Sequence, residues 1–145
     1  MDETQFDVAQ FEADWLEDAK KICQAIYIKP EAQALKEALM KNGFLSLEEK
    51  SRFIDICDKT KYEYIYKKYG EEGTQGYKKF SDAWKEWFQK KGVESQKNRS
   101  QRNSVDHVLF GSTPDPAEFL MHFEHEIMGS MKPSLADKRN DVLEP

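Results

Sequence analysis

The chain of 145 residues is 39% hydrophobic and 34% charged, which fits one globular domain and excludes fibrous and low-complexity proteins. Its two cysteines, Cys23 and Cys57, exclude a disulfide framework and indicate a reducing compartment. With no secretory leader and no run of about 18 apolar residues, we expect a cytoplasmic protein that makes no membrane contact. The net charge of −5 is unevenly distributed: residues 1–58 are acidic, 59–102 are basic and 103–145 are acidic.

Two helices are predicted in the first acidic segment. The capping-box form of Thr4-Gln5-Phe6-Asp7 predicts a helix that starts at Thr4. One apolar stripe then follows the helical period and consists of Val8, Phe11, Trp15, Leu16, Ala19, Ile22, Cys23 and Ile26. Lys29-Pro30 ends this helix, Pro30 can begin a second one, and Asn42-Gly43 supplies its left-handed stop.

A third helix is predicted over 47–69, because Ser46-Leu47-Glu48-Glu49 is a full capping box. Its helical wheel is apolar on two sides. The segment is therefore either a central helix of a bundle or two short helices that break at Asp58-Lys59-Thr60. We favour one central helix, followed by a glycine-containing loop up to Gly76.

A fourth helix over about 75–91 separates aromatic from basic side chains. Its aromatic face is formed by Tyr77, Phe80, Trp84, Trp87 and Phe88, and its opposite face by Lys78, Lys79, Lys85 and Lys90. We expect a polar linker over about 93–106 and a fifth helix from Asp115-Pro116 to Pro133. The predicted fold is an all-α bundle of about five helices in one domain, 1–132, with a flexible C-terminal tail, 133–145.

The basic segment is the strongest candidate for a binding surface. Its exposed cations would be Lys78, Lys79, Lys85, Lys90, Lys91, Lys97, Arg99 and Arg102. Such a face suits an acidic protein surface, with Trp84 and Trp87 as anchors if a partner covers them. The leading hypothesis is therefore a non-enzymatic interaction module, such as an adaptor, inhibitor or assembly subunit, and a homo-oligomer is compatible with it.

Two alternatives belong to other functional classes. In the first, residues 59–102 bind the phosphate backbone of DNA or RNA, and a break at Asp58–Thr60 would even allow a helix-turn-helix arrangement. In the second, Glu118, His122 and His125 project from one side of the last helix and bind the metal of an enzyme. An exposed polar face explains those three residues better, and no catalytic motif occurs, so we expect no cofactor, no metal and no enzymatic activity.

Overall fold

The computed structural model describes residues 7–92 and 103–130, and the side chains of the last helix up to residue 125. These ranges contain six helices and no strand, which confirms the all-α class. The helices are α1 (Val8–Tyr27), α2 (Pro30–Asn42), α3 (Leu47–Lys68), α4 (Gln75–Lys91), α5 (Ser104–Leu109) and α6 (Pro116–Ser130). The predicted tail and most of the predicted linker lie outside the described residues.

Helix α1 begins later than its sequence suggests. Asp7 has an extended backbone, and its carboxylate accepts a hydrogen bond from the N–H of Gln10 at 3.0 Å. An acidic N-cap accepts a hydrogen bond from a free N–H group, and its negative charge also interacts favourably with the positive end of the helix dipole. The predicted start at Thr4 is therefore wrong, and Thr4 itself lies outside the described residues.

Helix α1 is the centre of the bundle, because it packs against all five other helices. Its fully buried stripe consists of Trp15, Ala19, Ile22, Cys23 and Ile26. The expectation that residues 47–69 form the central helix is therefore wrong, because α1 occupies that place. Helix α3 is only partly covered by the bundle, and Ile54 and Tyr62 remain exposed on it.

The continuity of α3 is confirmed. Both hydrogen bonds of the capping box are present between Ser46 and Glu49, and the helix runs without interruption past Thr60, which is buried. A helix-turn-helix arrangement in this segment is therefore excluded, since it required a break at Asp58–Thr60.

Helix α5 is the element that the sequence did not predict. Residues 103–106 were assigned to the polar linker, but the Asn103 side chain accepts a hydrogen bond from the N–H of Asp106 at 2.8 Å and caps this helix. Ser104, Val105 and His107 are buried, because α5 packs on α1 and α6. Tertiary packing explains how so short and polar a helix enters the core.

The last helix closes the bundle against α2. It is capped by Asp115, whose carboxylate accepts the N–H of Glu118 at 3.0 Å, and it buries Phe119, Leu120 and Phe123. Helix α2 ends at Gly43 with a φ of 84°, as the sequence predicted. Among the described helices, none combines the length and the apolar character that crossing a membrane would require.

Candidate protein-docking cleft

A cleft opens between α3 and α4, which are consecutive in the chain. Both helices pack on α1 but hardly on each other. They meet only near their connecting loop, where the ring of Tyr69 stacks on that of Phe80 at a centroid distance of 4.4 Å. Farther from the loop a space of about 260 Å³ lies between the two helices and α5.

The cleft has an apolar floor and aromatic walls. Its floor consists of the buried side chains Trp15, Ile65, Phe80 and Val108. Its walls are the partly exposed rings Tyr62, Tyr77 and Trp84. Aromatic walls of this kind offer a large contact area to a flat or apolar group.

The orientation of Trp84 is set by hydrogen bonding and packing. Its indole N–H donates to the carbonyl oxygen of Leu109 at 3.1 Å, and its ring packs against Phe88 at 4.9 Å between centroids. Gly111, with a φ of 86°, lies so close that a Cβ atom there would be 3.3 Å from the ring. The wall is therefore formed before any ligand arrives.

Two lysines stand at the rim of the cleft, one on each helix. Lys61 on α3 is partly buried, with its Nζ 5.0 Å from the centre of the Tyr62 ring, and Lys85 on α4 is exposed. Burial lowers the pKa of Lys61, and the nearby Asp58 carboxylate opposes this effect. Neither lysine forms an ion pair with a residue that the structure describes.

Three of the other four predicted cations on α4 form ion pairs within the fold. Lys78 pairs with Asp82 at 2.7 Å, Lys90 with Glu86 at 3.4 Å, and Lys91 with Glu12 of α1 at 2.9 Å. The last pair joins the acidic first segment to the basic middle segment within one fold. Of the five lysines on α4, only Lys79 and Lys85 lack such a partner in the described part of the chain. Lys97, Arg99 and Arg102 lie outside it.

The two candidate anchors differ sharply in exposure. Trp87 is 0% exposed and its ring stacks on Phe110 at 5.2 Å, so it belongs to the core and offers no surface to a partner. The condition for an anchor, that a partner covers the side chain, is therefore not met by Trp87. The aromatic face of α4 includes both tryptophans, but only Trp84 lies where a ligand in the cleft could contact it.

A buried carboxylate beneath α3 escaped the sequence prediction. Asp18 is 0% exposed and accepts hydrogen bonds from Tyr64 at 2.7 Å, Lys68 at 2.6 Å and Tyr69 at 2.5 Å. Burial, together with the bond to Asp18, raises the pKa of both tyrosines. The sequence did carry a signal, because Asp18 follows Trp15 by three residues and precedes Ile22 by four, within the apolar stripe.

The candidate metal ligands do not assemble into a site. Glu118, His122 and His125 are all exposed on α6. Among the side chains of residues 7–92 and 103–125, no group of three histidine, cysteine or carboxylate side chains is arranged to hold a metal ion. A metal-dependent reaction therefore has no set of ligands in the part of the chain that is described.

A comparison with protein families, with curated proteins and with solved structures finds no significant match to this chain. Its chemistry must therefore be inferred from its own residues. The described residues that line the cleft include no histidine, cysteine or carboxylate, the groups that most often act as bases near neutral pH. Apolar surface, aromatic rings and unpaired cations instead favour binding of a group that is partly apolar and carries negative charge.

Proposed function

We propose that this chain is a non-enzymatic protein-interaction module that docks an acidic surface of a partner protein beside the α3–α4 cleft. One observation carries the proposal. Among the described residues, Lys61 and Lys85 flank the aromatic walls without an ion-pair partner, whereas Lys78, Lys90 and Lys91 each have one. Aromatic side chains are enriched at protein-binding sites, and cations beside them are complementary in charge to an acidic partner.

The charge distribution supports steered association. Helix α4 carries five lysines and only two acidic residues, and Lys79 and Lys85 are exposed on it. Cations of this kind raise the rate of encounter with an acidic surface and make binding sensitive to salt. A second copy of the chain is among the acidic partners that this surface could accept, because residues 1–58 and 103–145 are both acidic.

Binding to a nucleic-acid backbone is less favoured. Phosphate binding increases with the number of lysines that contact the backbone, and three of the five on α4 already lie against carboxylates. Base stacking along a strand needs a row of exposed rings. Phe80 and Trp87 are buried, and the partly exposed rings Tyr62, Tyr77 and Trp84 surround one cleft instead of forming such a row. These observations leave a short unpaired stretch, which suits a local acidic patch on a protein better.

The proposal is tested by affinity capture from a lysate of the native host, with and without nuclease. We expect captured protein that is retained after nuclease treatment and released at high salt. Lys61→Glu/Lys85→Glu should abolish capture, because both lysines border the cleft. The matched control is Lys41→Glu/Lys50→Glu, which makes the same change of charge at exposed positions outside the cleft.

Two results would overturn the proposal. Equal capture by the two double variants would mean that the partner does not use this surface. Release of the captured material by nuclease would assign the surface to nucleic acid. Size-exclusion chromatography of the purified chain at several concentrations distinguishes self-association from capture of a different protein.

A further inference from the structure

We propose that the cleft is a pocket for one aromatic side chain of an acidic peptide segment, with carboxylates on either side of that residue bound to Lys61 and Lys85. This inference rests on the proposed docking function and specifies which feature of the partner is recognised. It follows from the size of the cleft, the arrangement of its rings, the position of its cations and the shape of the surface beside it.

The size of the cleft matches a single side chain. Pockets for drug-sized ligands and cofactors usually enclose about 300–1,000 Å³, whereas this cleft measures about 260 Å³. Its floor is apolar, since it is formed by Trp15, Ile65 and Val108. Each of these side chains is less than 5% exposed, so the floor belongs to the core of the bundle. An apolar or aromatic side chain would exclude water from this floor, which a fully charged group could not do favourably.

The rings around the cleft favour an aromatic guest. Tyr77 forms an edge-to-face pair with Tyr66 at 5.9 Å, and Trp84 packs on Phe88 at 4.9 Å, so each ring is held on its outer side. A further ring between them could adopt the offset and edge-on geometries that aromatic groups prefer. Because Trp84 is also fixed by its bond to Leu109, little conformational freedom would be lost on binding.

The lysines lie where flanking carboxylates would be needed. Lys61 belongs to α3 and Lys85 to α4, so they border the cleft from both helices. Lys61 has lost part of its hydration, and an incoming carboxylate would restore a favourable environment for its charge. Asp58 is the nearby acid that competes for Lys61, and Asp82 is the one near Lys85. A single carboxylate would therefore bind weakly, and several would be required.

The surface beside the cleft continues along α4. Tyr77, Ser81 and Lys85 recur every four residues on one helix face. All three also border a second hollow of about 420 Å³, in which Lys78 and Asp82 form an ion pair. Eight residues of helix span about 12 Å. An extended chain covers that distance with about four residues. A pentapeptide is therefore long enough to place a central aromatic residue and two flanking acids.

Three peptides test the inference with the full-length chain at low salt. They are acetyl-Glu-Glu-Phe-Glu-Glu-amide, the same peptide with glutamine for every glutamate, and the same peptide with alanine for phenylalanine. Binding is followed by ¹⁵N NMR, using the indole N–H signal of Trp84 assigned with Trp84→Phe. We expect the acidic phenylalanine peptide to bind best. Loss of the ring should weaken binding at least about tenfold, and loss of the charges about threefold to tenfold.

Two variants locate the binding in the cleft. Ser81→Phe places a ring at the rim and should abolish peptide binding, whereas Ser51→Phe, which adds the same ring at an exposed position of α3, should not. Lys85→Gln should remove most of the preference for the acidic peptide over the neutral one. If circular dichroism shows that Ser81→Phe does not fold, Lys85→Gln alone tests whether the peptide binds in the cleft. Lys85 is exposed, so this substitution should leave the fold unchanged.

Equal binding of the phenylalanine and alanine peptides would overturn the inference, as would an unchanged affinity in folded Ser81→Phe. Binding of an oligodeoxythymidine to a chain that binds none of the three peptides would also overturn the inference and would favour a nucleic-acid ligand. These failures differ from failure of the docking proposal. Partner capture that depends on Lys61 and Lys85, combined with no preference for the aromatic peptide, would reject the pocket and retain the docking surface.

Discussion

Trp15 and Trp84, on helices α1 and α4, donate their indole N–H groups to the same acceptor, the carbonyl oxygen of Leu109, at 2.9 and 3.1 Å. Leu109 is the last residue of α5, where a helix leaves its final carbonyl groups without partners from its own backbone. The two indoles therefore supply the hydrogen bonds that the last carbonyl group of α5 lacks. A six-residue helix of this kind could not be stable alone. The two indoles also connect three helices around the floor and wall of the cleft.

This shared acceptor predicts non-additive effects of mutation. Trp84→Phe keeps an aromatic ring and should cost about 0.5–1.5 kcal/mol, because Trp15 still satisfies the Leu109 carbonyl. Trp15→Phe should cost more, since Trp15 is also a buried core residue. The double variant should lose more stability than the sum of the two, because a buried carbonyl is then left unpaired. Urea unfolding followed by circular dichroism at 222 nm measures this, and strictly additive losses would contradict it.

The buried Asp18 carboxylate predicts a specific role for one tyrosine hydroxyl. Tyr69→Phe preserves the ring that stacks on Phe80 but removes a donor to the buried Asp18 carboxylate, which also pairs with Lys68, and we expect a loss of about 1.5–3 kcal/mol in the free energy of unfolding. The control is Tyr66→Phe on the same helix, whose hydroxyl does not contact Asp18, and its effect should stay within about 0.5 kcal/mol. Similar losses in both variants would assign the effect to packing instead.

The burial of Cys57 should make the free energy of unfolding fall at alkaline pH. Burial raises the pKa of its thiol from 9.0 to about 12, with a further contribution from Asp58 and an opposing one from Lys61. Between these two pH values the unfolded chain has lost the thiol proton and the folded chain retains it. Stability therefore falls as pH rises through this window, by at most about 1.4 kcal/mol per pH unit from this group.

Cys57→Ala tests that origin. The variant should be less stable than the wild type at pH 7.5, because it leaves a small cavity, but its stability should decline less steeply between pH 9 and 10.5. Urea unfolding at each pH gives the two slopes. Ser51→Ala, at an exposed position, should keep the slope of the wild type. Parallel curves for all three proteins would show that another group causes the alkaline decline.

The features that could be predicted from the sequence are those encoded locally. The capping box at Ser46, the left-handed Gly43 and the apolar stripe of α1 each depend on residues within one or two helical turns. The helical wheel also placed Phe80 and Trp87 on the aromatic face of α4, opposite the lysines, and both are buried. It could not distinguish the tryptophan in the core from the one at the cleft, since both lie on that face.

The features that were missed depend on residues far apart in the chain. Helix α5 is held by bonds to Trp15 and Trp84, which are 94 and 25 residues away from Leu109. Lys91 is neutralised by Glu12, 79 residues earlier, which no local pattern of charge could indicate. The cleft itself results from how far α3 and α4 diverge after their loop, and that angle is set by the packing of both on α1.

Helices α3 and α4 diverge from one close contact, which lies between Tyr69 and Gly76. A Cβ atom at Gly76 would lie 1.9 Å from the carbonyl oxygen of Tyr69, so the first turn of α4 approaches the end of α3 as only glycine allows. Gly76 is helical, and alanine would otherwise stabilise the helix by about 1 kcal/mol. We expect Gly76→Ala instead to destabilise the protein by about 1–3 kcal/mol, because backbone atoms must move apart. Gln75→Ala, at the neighbouring exposed position, should be nearly neutral. Thermal unfolding compares them directly, and a Gly76→Ala protein more stable than the wild type would show that helix propensity outweighs this contact.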